Sequence, residues 1–297
     1  RNFDPKVFGL GYIALGVPDL ARTAAHYRET MGLTETDTDQ RDTVYLSVGA
    51  DHHNIVLRKA DDKTFLHLGF HLKPGTELSD FCKDVRALGL PAEIQHDSQP
   101  GIESLVQVVG PGGHVFQFYD QPNAAASGFA TRGIAPLRLG HVAVLTPEAE
   151  KLNRFYQDFL GFHYTDDIGG VATFMTCNRD HHVVNVVGIP ESRIHHIAFE
   201  LRDNTDHFRA SDLLAGDGTP TLWGPARHGA GHNLASYHYD PDQVMIELYT
   251  QMDVYLPALG MQEPRPWHDT YPMRPQSWPF EKMTIWNTAY GFDLATA

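Results

Sequence analysis

His141, His196 and Glu247 are far apart in the chain, yet each has a side-chain type that holds a divalent cation. In a strand, alternate residues share a face. His196 therefore sits with Ala198 and Glu200, opposite His195, Ile197, Phe199 and Leu201, and His141 shares a face with Ala143 in the same way. Near residue 247, Val244, Ile246 and Leu248 form an apolar side, and Met245, Glu247 and Tyr249 point the other way. A carboxylate set between Ile246 and Leu248 needs a partner, because burying an unpaired charge costs several kcal/mol. Two imidazoles supply a cation site. Two His and one carboxylate, with coordination positions left open, are the ligand set expected for mononuclear non-haem Fe(II) and oxygen chemistry.

The elements that must position these residues emerge from an internal repeat. LGYIALGVPDLARTAAHYRETMGL at 10–33 aligns without gaps on LGHVAVLTPEAEKLNRFYQDFLGF at 139–162, an offset of 129 that pairs Gly11 with Gly140 and Gly32 with Gly161. The same offset carries DHHNIVL at 51–57 onto DHHVVNV at 180–186 and FLHLGFHL at 65–72 onto IHHIAFEL at 194–201. PGGHVFQFY at 111–119 lies on PDQVMIELY at 241–249, one residue further on. Within each half the pattern restarts once. LGHVAV alternates like a strand, Thr146-Pro147 is a helix-starting pair, and an amphipathic stretch ends at Gly161 before further short strands. IHHIAFEL opens the next unit, with a helical stretch around 206–215 stopped by Gly216. The expected fold is α+β: four βαβββ units in two tandem domains, each a curved mixed sheet enclosing a cavity. Domain bounds of 1–130, 131–250 and an aromatic, Pro-rich extension at 251–297 follow.

The repeat also sorts the histidines. Gly140-His141-Val142-Ala143 resembles His195-His196-Ile197-Ala198, which selects His196 over His195 as the ligand. In the first half the three corresponding positions are Tyr12, His67 and Gln117, so the metal is expected only in the second. Each of the three residues alone has an ordinary explanation as a core or edge residue. Three together at matching strand positions do not.

Bulk properties narrow the partners. The 297 residues carry 37 acidic against 23 basic side chains, a net charge of −14 that repels phosphate backbones and anionic membrane surfaces, and no Lys/Arg cluster reverses it. Nucleic-acid binding is not expected. No apolar run approaches the roughly 18 to 20 residues that span a bilayer, and the first residues lack the apolar core of a secretory signal. Cys82 and Cys177 are the only cysteines and form no short metal-binding pattern. A cytoplasmic protein without membrane association is the expectation.

Across about residues 8–250 the chain resembles the type I extradiol dioxygenases of the vicinal oxygen chelate superfamily. The most specific stretch is GPARHGAGHNLASYHYDPDQVMIELYT at 224–250, although Ser236 and His238 fit the pattern poorly and Gln243 stands where the signature usually has Gly or Pro. The resemblance implies extradiol cleavage of a catecholic ring with O2 as co-substrate, Fe(II) or alternatively Mn(II) as cofactor, and a 2-hydroxymuconic semialdehyde type of product. By the family's spacings it also implies catalytic roles for His228 and Tyr237, and an acid/base role for His181 instead of His182. Its implied partner is a small aromatic diol, and its implied assembly a homo-oligomer. His163, His232 and His238 receive no role beyond surface or packing.

Rival readings stay open at this point: a hydroquinone or trihydroxybenzene dioxygenase, a glyoxalase-like metal-dependent lyase or isomerase, and a non-catalytic binding protein. Relatives acting on homoprotocatechuate are expected to carry an Arg at the place of Trp223. Trp223 and the small Ala143 therefore suggest a substrate with an apolar or aromatic substituent, while Arg227 remains available to an anion. The extension holds Trp267, Trp278 and Trp286 and is expected to cover the mouth of the site, seal a subunit contact or pack on the second domain.

Overall fold

The computed structural model describes residues 3–37, 42–125 and 128–294. In the first half, strands β1 (Val7–Val17), β2 (Thr34–Asp37), β3 (Thr43–Ser47), β4 (Ile55–Lys59), β5 (Thr64–Leu72), β6 (Ala92–Gln99), β7 (Ile102–Val109) and β8 (Val115–Tyr119) form one mixed sheet. Its order is β2-β3-β4-β1-β5-β8-β7-β6. The second half contributes β9 (Arg138–Thr146), β10 (His163–Ile168), β11 (Ala172–Thr176), β12 (Val184–Gly188), β13 (Arg193–Glu200), β14 (Thr221–Arg227), β15 (Leu234–Tyr239) and β16 (Met245–Thr250). These run β10-β11-β12-β9-β13-β16-β15-β14, the same order with every strand displaced by eight. In both sheets the first strand of a unit pairs in parallel with the last strand of that unit, as β1 with β4 and β13 with β16.

One helix follows the first strand of each unit: α1 (Leu20–Ala25), α2 (Leu78–Ala87), α3 (Ala149–Arg154) and α4 (Asn204–Gly216). The four βαβββ units expected from the repeat are all present. Asp203 caps α4 by accepting from the amides of Thr205 and Asp206 at 2.8 and 3.0 Å, a contribution of about 1 kcal/mol. The helix α3 starts later than the Thr-Pro pair suggests, because the Thr146 hydroxyl accepts from the Glu148 amide and closes a turn first. Both α1 and α3 run on into a single π-helical turn, His26–Thr30 and Phe155–Phe159, at equivalent positions.

The paired glycines have a physical reason. A Cβ at Gly11 would collide with the Tyr119 hydroxyl, and one at Gly140 with the Tyr249 hydroxyl, so each half lays a tyrosine from its last strand over a glycine of its first.

The chain divides into two compact units. One holds residues 6–139 with the turn 240–243, and the other holds residues 3–5, 140–239 and 244 to the last described residue. The division falls at 139/140 instead of 130/131. The extension joins the second unit's own structure, forming a small hairpin of β17 (Tyr255–Leu256) and β18 (Met261–Gln262) before β19 (Gln276–Trp278) adds a ninth strand beside β10. Among the described residues no helix is long and apolar enough to cross a membrane.

Candidate metal centre and active site

β13 lies between β9 and β16, which brings His141, His196 and Glu247 onto three adjacent strands. Glu247 is in register with Ala198, whose small side chain leaves space above the sheet. All three are buried, and their donor atoms converge. Glu247 Oε2 lies 3.3 Å from His141 Nε2 and 3.1 Å from His196 Nε2. Ligands about 2.1 Å from a metal on one face of an octahedron sit roughly 3 Å apart, which matches this spacing. His196 Nε2 is buried without a hydrogen-bond partner among the described residues, as a ligand nitrogen awaiting a cation is expected to be. The second carboxylate oxygen, Oε1, accepts from Asn233 Nδ2 at 2.7 Å, so Asn233 aims Oε2 at the two imidazoles.

Charge states suit coordination. Burial would raise the Glu247 carboxyl, but His141 and His196 outweigh it and hold the group well below the usual carboxylate range. Burial pushes the His141 imidazolium down, with Glu247 opposing more weakly. An ionised carboxylate and a neutral imidazole are the forms a metal requires.

The adjacent pair His181-His182 resolves against the spacing argument. His182 lines the cavity, with its ring centroid 4.2 Å from that of His141. His181 turns away, its Nε2 donating to Asp166 Oδ2 at 2.8 Å. Asp166 also accepts from the Trp278 indole at 2.9 Å and the Gln276 amide at 2.8 Å. The backbone decides this: the His181 amide is bonded to the Asp253 carbonyl, which fixes which neighbour faces inward. Of the two rings, His182 is the one that faces the cavity. Burial, with His141 and His181 adding to it, holds the His182 imidazolium well below its ordinary value.

His228 and Tyr237 do come together at the site. His228 Nε2 is 3.1 Å from the Tyr237 hydroxyl and 3.8 Å from Glu247 Oε1, and its Nδ1 is 3.2 Å from the Tyr290 hydroxyl. Burial lowers the His228 imidazolium to about 4 and raises the Tyr237 phenol well above 10, so both are neutral at pH 7.

These groups open on a cavity of about 430 Å3 whose remaining walls include Phe174, Val187, Ile189, Phe280, Met283 and Phe292. The extension thus supplies a wall of the site. Of the two residues expected to contact substrate, Ala143 is fully buried in β9 opposite Asn185, and Trp223 is stacked on His228 and on Tyr290 behind the cavity wall. Arg227 is also committed elsewhere, donating to the His232 carbonyl and Gln251 and lying 4.2 Å over the Trp267 ring. Among the described residues no Lys or Arg lines the cavity, and Asp293 does.

A second carboxylate-histidine cluster is a hydrogen-bond hub. Asp253 accepts from His232 Nδ1 at 2.7 Å, His268 Nε2 at 2.9 Å and the Trp267 indole at 3.0 Å, so both of its oxygens are already satisfied. His232 is thus a buried partner and not a surface residue. Asn233, His182 and Tyr290 are the site residues that sequence reasoning missed. The three His-His dipeptides were the only signal for His182, and Tyr290 lies beyond the repeat that organised the reading.

The fold and this site define a class. Residues 138–248, a vicinal oxygen chelate domain, match the family model for the Glyoxalase/Bleomycin resistance protein/Dioxygenase superfamily. Among curated relatives, it is 29% identical over 251 residues to a metapyrocatechase from Pseudomonas sp. (strain CF600), covering 78% of this chain and 82% of that one. It is 29% identical over 261 residues to a manganese-dependent 2,3-dihydroxybiphenyl 1,2-dioxygenase from Geobacillus genomosp. 3, covering 80% and 82%. The fold is shared with a variant of homoprotocatechuate 2,3-dioxygenase from B. fuscum, with a TM-score of 0.83 at 24% identity over 99% of this chain and 82% of that one.

Proposed function

We propose that the chain is an extradiol dioxygenase that opens a catechol-type ring with O2 at a mononuclear Fe(II) centre held by His141, His196 and Glu247. The convergence of two imidazoles and one ionised carboxylate, all buried, at the end of an otherwise apolar cavity carries this reading. When bound, the metal would draw both catechol oxygens and O2 to one centre and pass electron density between them.

The chain's own residues supply the rest. Asn233 keeps one carboxylate oxygen occupied so that the other faces the ligand site. The Tyr237 hydroxyl and His228 stand beside Glu247, placed to hydrogen-bond a substrate oxygen next to the metal. His182 is neutral, so its ring can accept a proton from the diol and return it as the ring opens. The apolar wall lowers the polarity around these groups.

The cavity also informs the substrate class. With no Lys or Arg lining it among the described residues, the cavity offers a carboxylated catechol no cationic partner, and an uncharged alkyl or aryl substituent meets Phe174, Val187 and Phe280. The test is oxygen uptake by the iron-reconstituted protein with alkyl-, aryl- and carboxy-catechols. Uptake and a yellow product with the uncharged members are expected. No uptake with any catechol would sink the assignment.

A further inference from the structure

We infer that His195 is a positioning residue that fixes the tautomer of the ligand His196, and that the Leu294 carbonyl in turn fixes His195. This rests on the reading of His196 as a metal ligand. The two rings meet Nδ1 to Nδ1 at 2.7 Å, a contact that holds one proton between them. Either ring can own it. The other end of His195 decides, because its Nε2 is hydrogen-bonded to the backbone carbonyl of Leu294, and a carbonyl only accepts. A neutral His195 with its proton on Nε2 has a bare Nδ1, so His196 must donate from Nδ1. That leaves His196 Nε2 bare, 3.1 Å from Glu247 Oε2.

The alternative tautomer has the opposite consequence. With the proton on Nε2, His196 would point an N–H at the carboxylate and satisfy it without a cation. Proton position on this ring therefore decides whether His196 offers Glu247 and a cation a lone pair or an N–H.

Two further features of the chain agree with this. The pair His181-His182 repeats the arrangement, with Nδ1 to Nδ1 at 3.0 Å and the outer ring's Nε2 tied to the Asp166 carboxylate, which leaves the inner ring's Nε2 bare. In the first half, the residue at the place of His195 is Leu66, which has no acceptor to offer His67, and there the metal ligands are absent too.

The experiment titrates the metal-free proteins with Mn(II) alone and counts free ion by electron paramagnetic resonance, with circular dichroism as the folding check. The wild type is expected to bind one ion per chain. His195→Phe should weaken binding by about 10- to 100-fold, the usual cost of losing the group that orients a ligand histidine. His195→Gln should stay within about threefold of the wild type, since its amide N–H can replace the bond to Leu294 and its oxygen can accept from His196. Unchanged affinity in a folded His195→Phe, or a folded His195→Gln as weak as His195→Phe, would overturn the inference. A wild type that binds no Mn(II) would instead remove the metal-site reading beneath it. Should His195→Phe not fold, 15N-histidine NMR of the metal-free wild type decides: a protonated Nδ1 on His196 supports the inference, and a protonated Nε2 refutes it.

Discussion

Tyr12, His67 and Gln117 occupy in the first sheet the strand positions that His141, His196 and Glu247 occupy in the second, yet the two sets behave in opposite ways. In the first unit the Tyr12 hydroxyl donates to the Gln117 carbonyl oxygen, Gln99 Nε2 reaches both at 2.8 and 2.9 Å, and Gln117 Nε2 donates to Gln107 at 3.0 Å. Donors and acceptors cancel among neutral groups. The Tyr12 ring is accommodated because Gly69 leaves room that any Cβ would fill, and with Tyr45, Ile102, Leu105 and Tyr119 it makes a packed core. In the second unit the place of Gly69 is taken by Ala198, and the facing atoms are two imidazole nitrogens and a carboxylate oxygen, a set that could hold a metal ion. The fold therefore tolerates either solution. The capacity proposed for metal binding would then reside in a few residues laid on the sheet, not in the sheet.

The strongest way to break the comparison is to give the second unit the first unit's residue. Glu247→Gln removes the charge while keeping the shape, and metal content should fall below detection with oxygen uptake down at least about 10^3-fold. A variant that kept its metal would mean that the carboxylate is not a ligand. Next comes the choice between adjacent histidines. His182→Phe should slow turnover by about 10^2- to 10^4-fold with metal content near that of the wild type. His181→Phe should act mainly on stability, by about 2 kcal/mol, because it strips Asp166 of a buried partner. Should His181→Phe carry the larger loss in kcat, the assignment of the inward-facing ring would be wrong. A smaller effect is expected at Asn233→Ala, which frees the Glu247 oxygen that Asn233 now holds: metal affinity, followed by titration, should weaken about 10-fold.

How much of this was legible in the sequence varies with the physics involved. The repeat gave the four units and the sheet order's duplication, because a Gly beneath a Tyr and a π-helical turn leave residue types that recur at fixed spacing. That His141, His196 and Glu247 converge was legible for a similar reason: strand alternation is strict, and a charge between Ile246 and Leu248 needs a partner. His182 was not, because both members of a His-His pair have the same type and only the backbone bond from His181 to Asp253 determines which one faces the cavity. Tyr290 and the apolar wall from the extension have no counterpart in the first half, so no internal control pointed to them. Gln243 shows the reverse case. It departs from the family's Gly or Pro and still adopts φ +60°, a conformation glycine takes freely and glutamine at a cost of about 1 kcal/mol.

The gentlest test compares the two units through acid. Burial lowers the imidazolium of His53 to about 3 and of His67 to about 4 in the first unit, and of His207 to about 4 and His228 to about 4 in the second. A histidine with a depressed folded value is neutral when folded, while the unfolded chain takes up a proton near pH 6.5. Between those values the unfolded state binds more protons. Stability is therefore fully present above about pH 6.5 and falls as the pH drops toward 4, by up to about 1.4 kcal/mol per pH unit for each such residue. Both units are affected without metal. All four tryptophans lie in the second unit, so their fluorescence reads that unit alone while circular dichroism reads both. At pH 5.5 the urea midpoint should be lower than at pH 7 by either probe in the metal-free protein. With Mn(II) near 100 times its dissociation constant, the fluorescence transition should recover by about 2.7 kcal/mol and move above the part of the dichroism change that belongs to the first unit. Coincident transitions, unmoved by Mn(II), would mean that the second unit gains nothing from the ion, and the contrast drawn between the two halves would collapse.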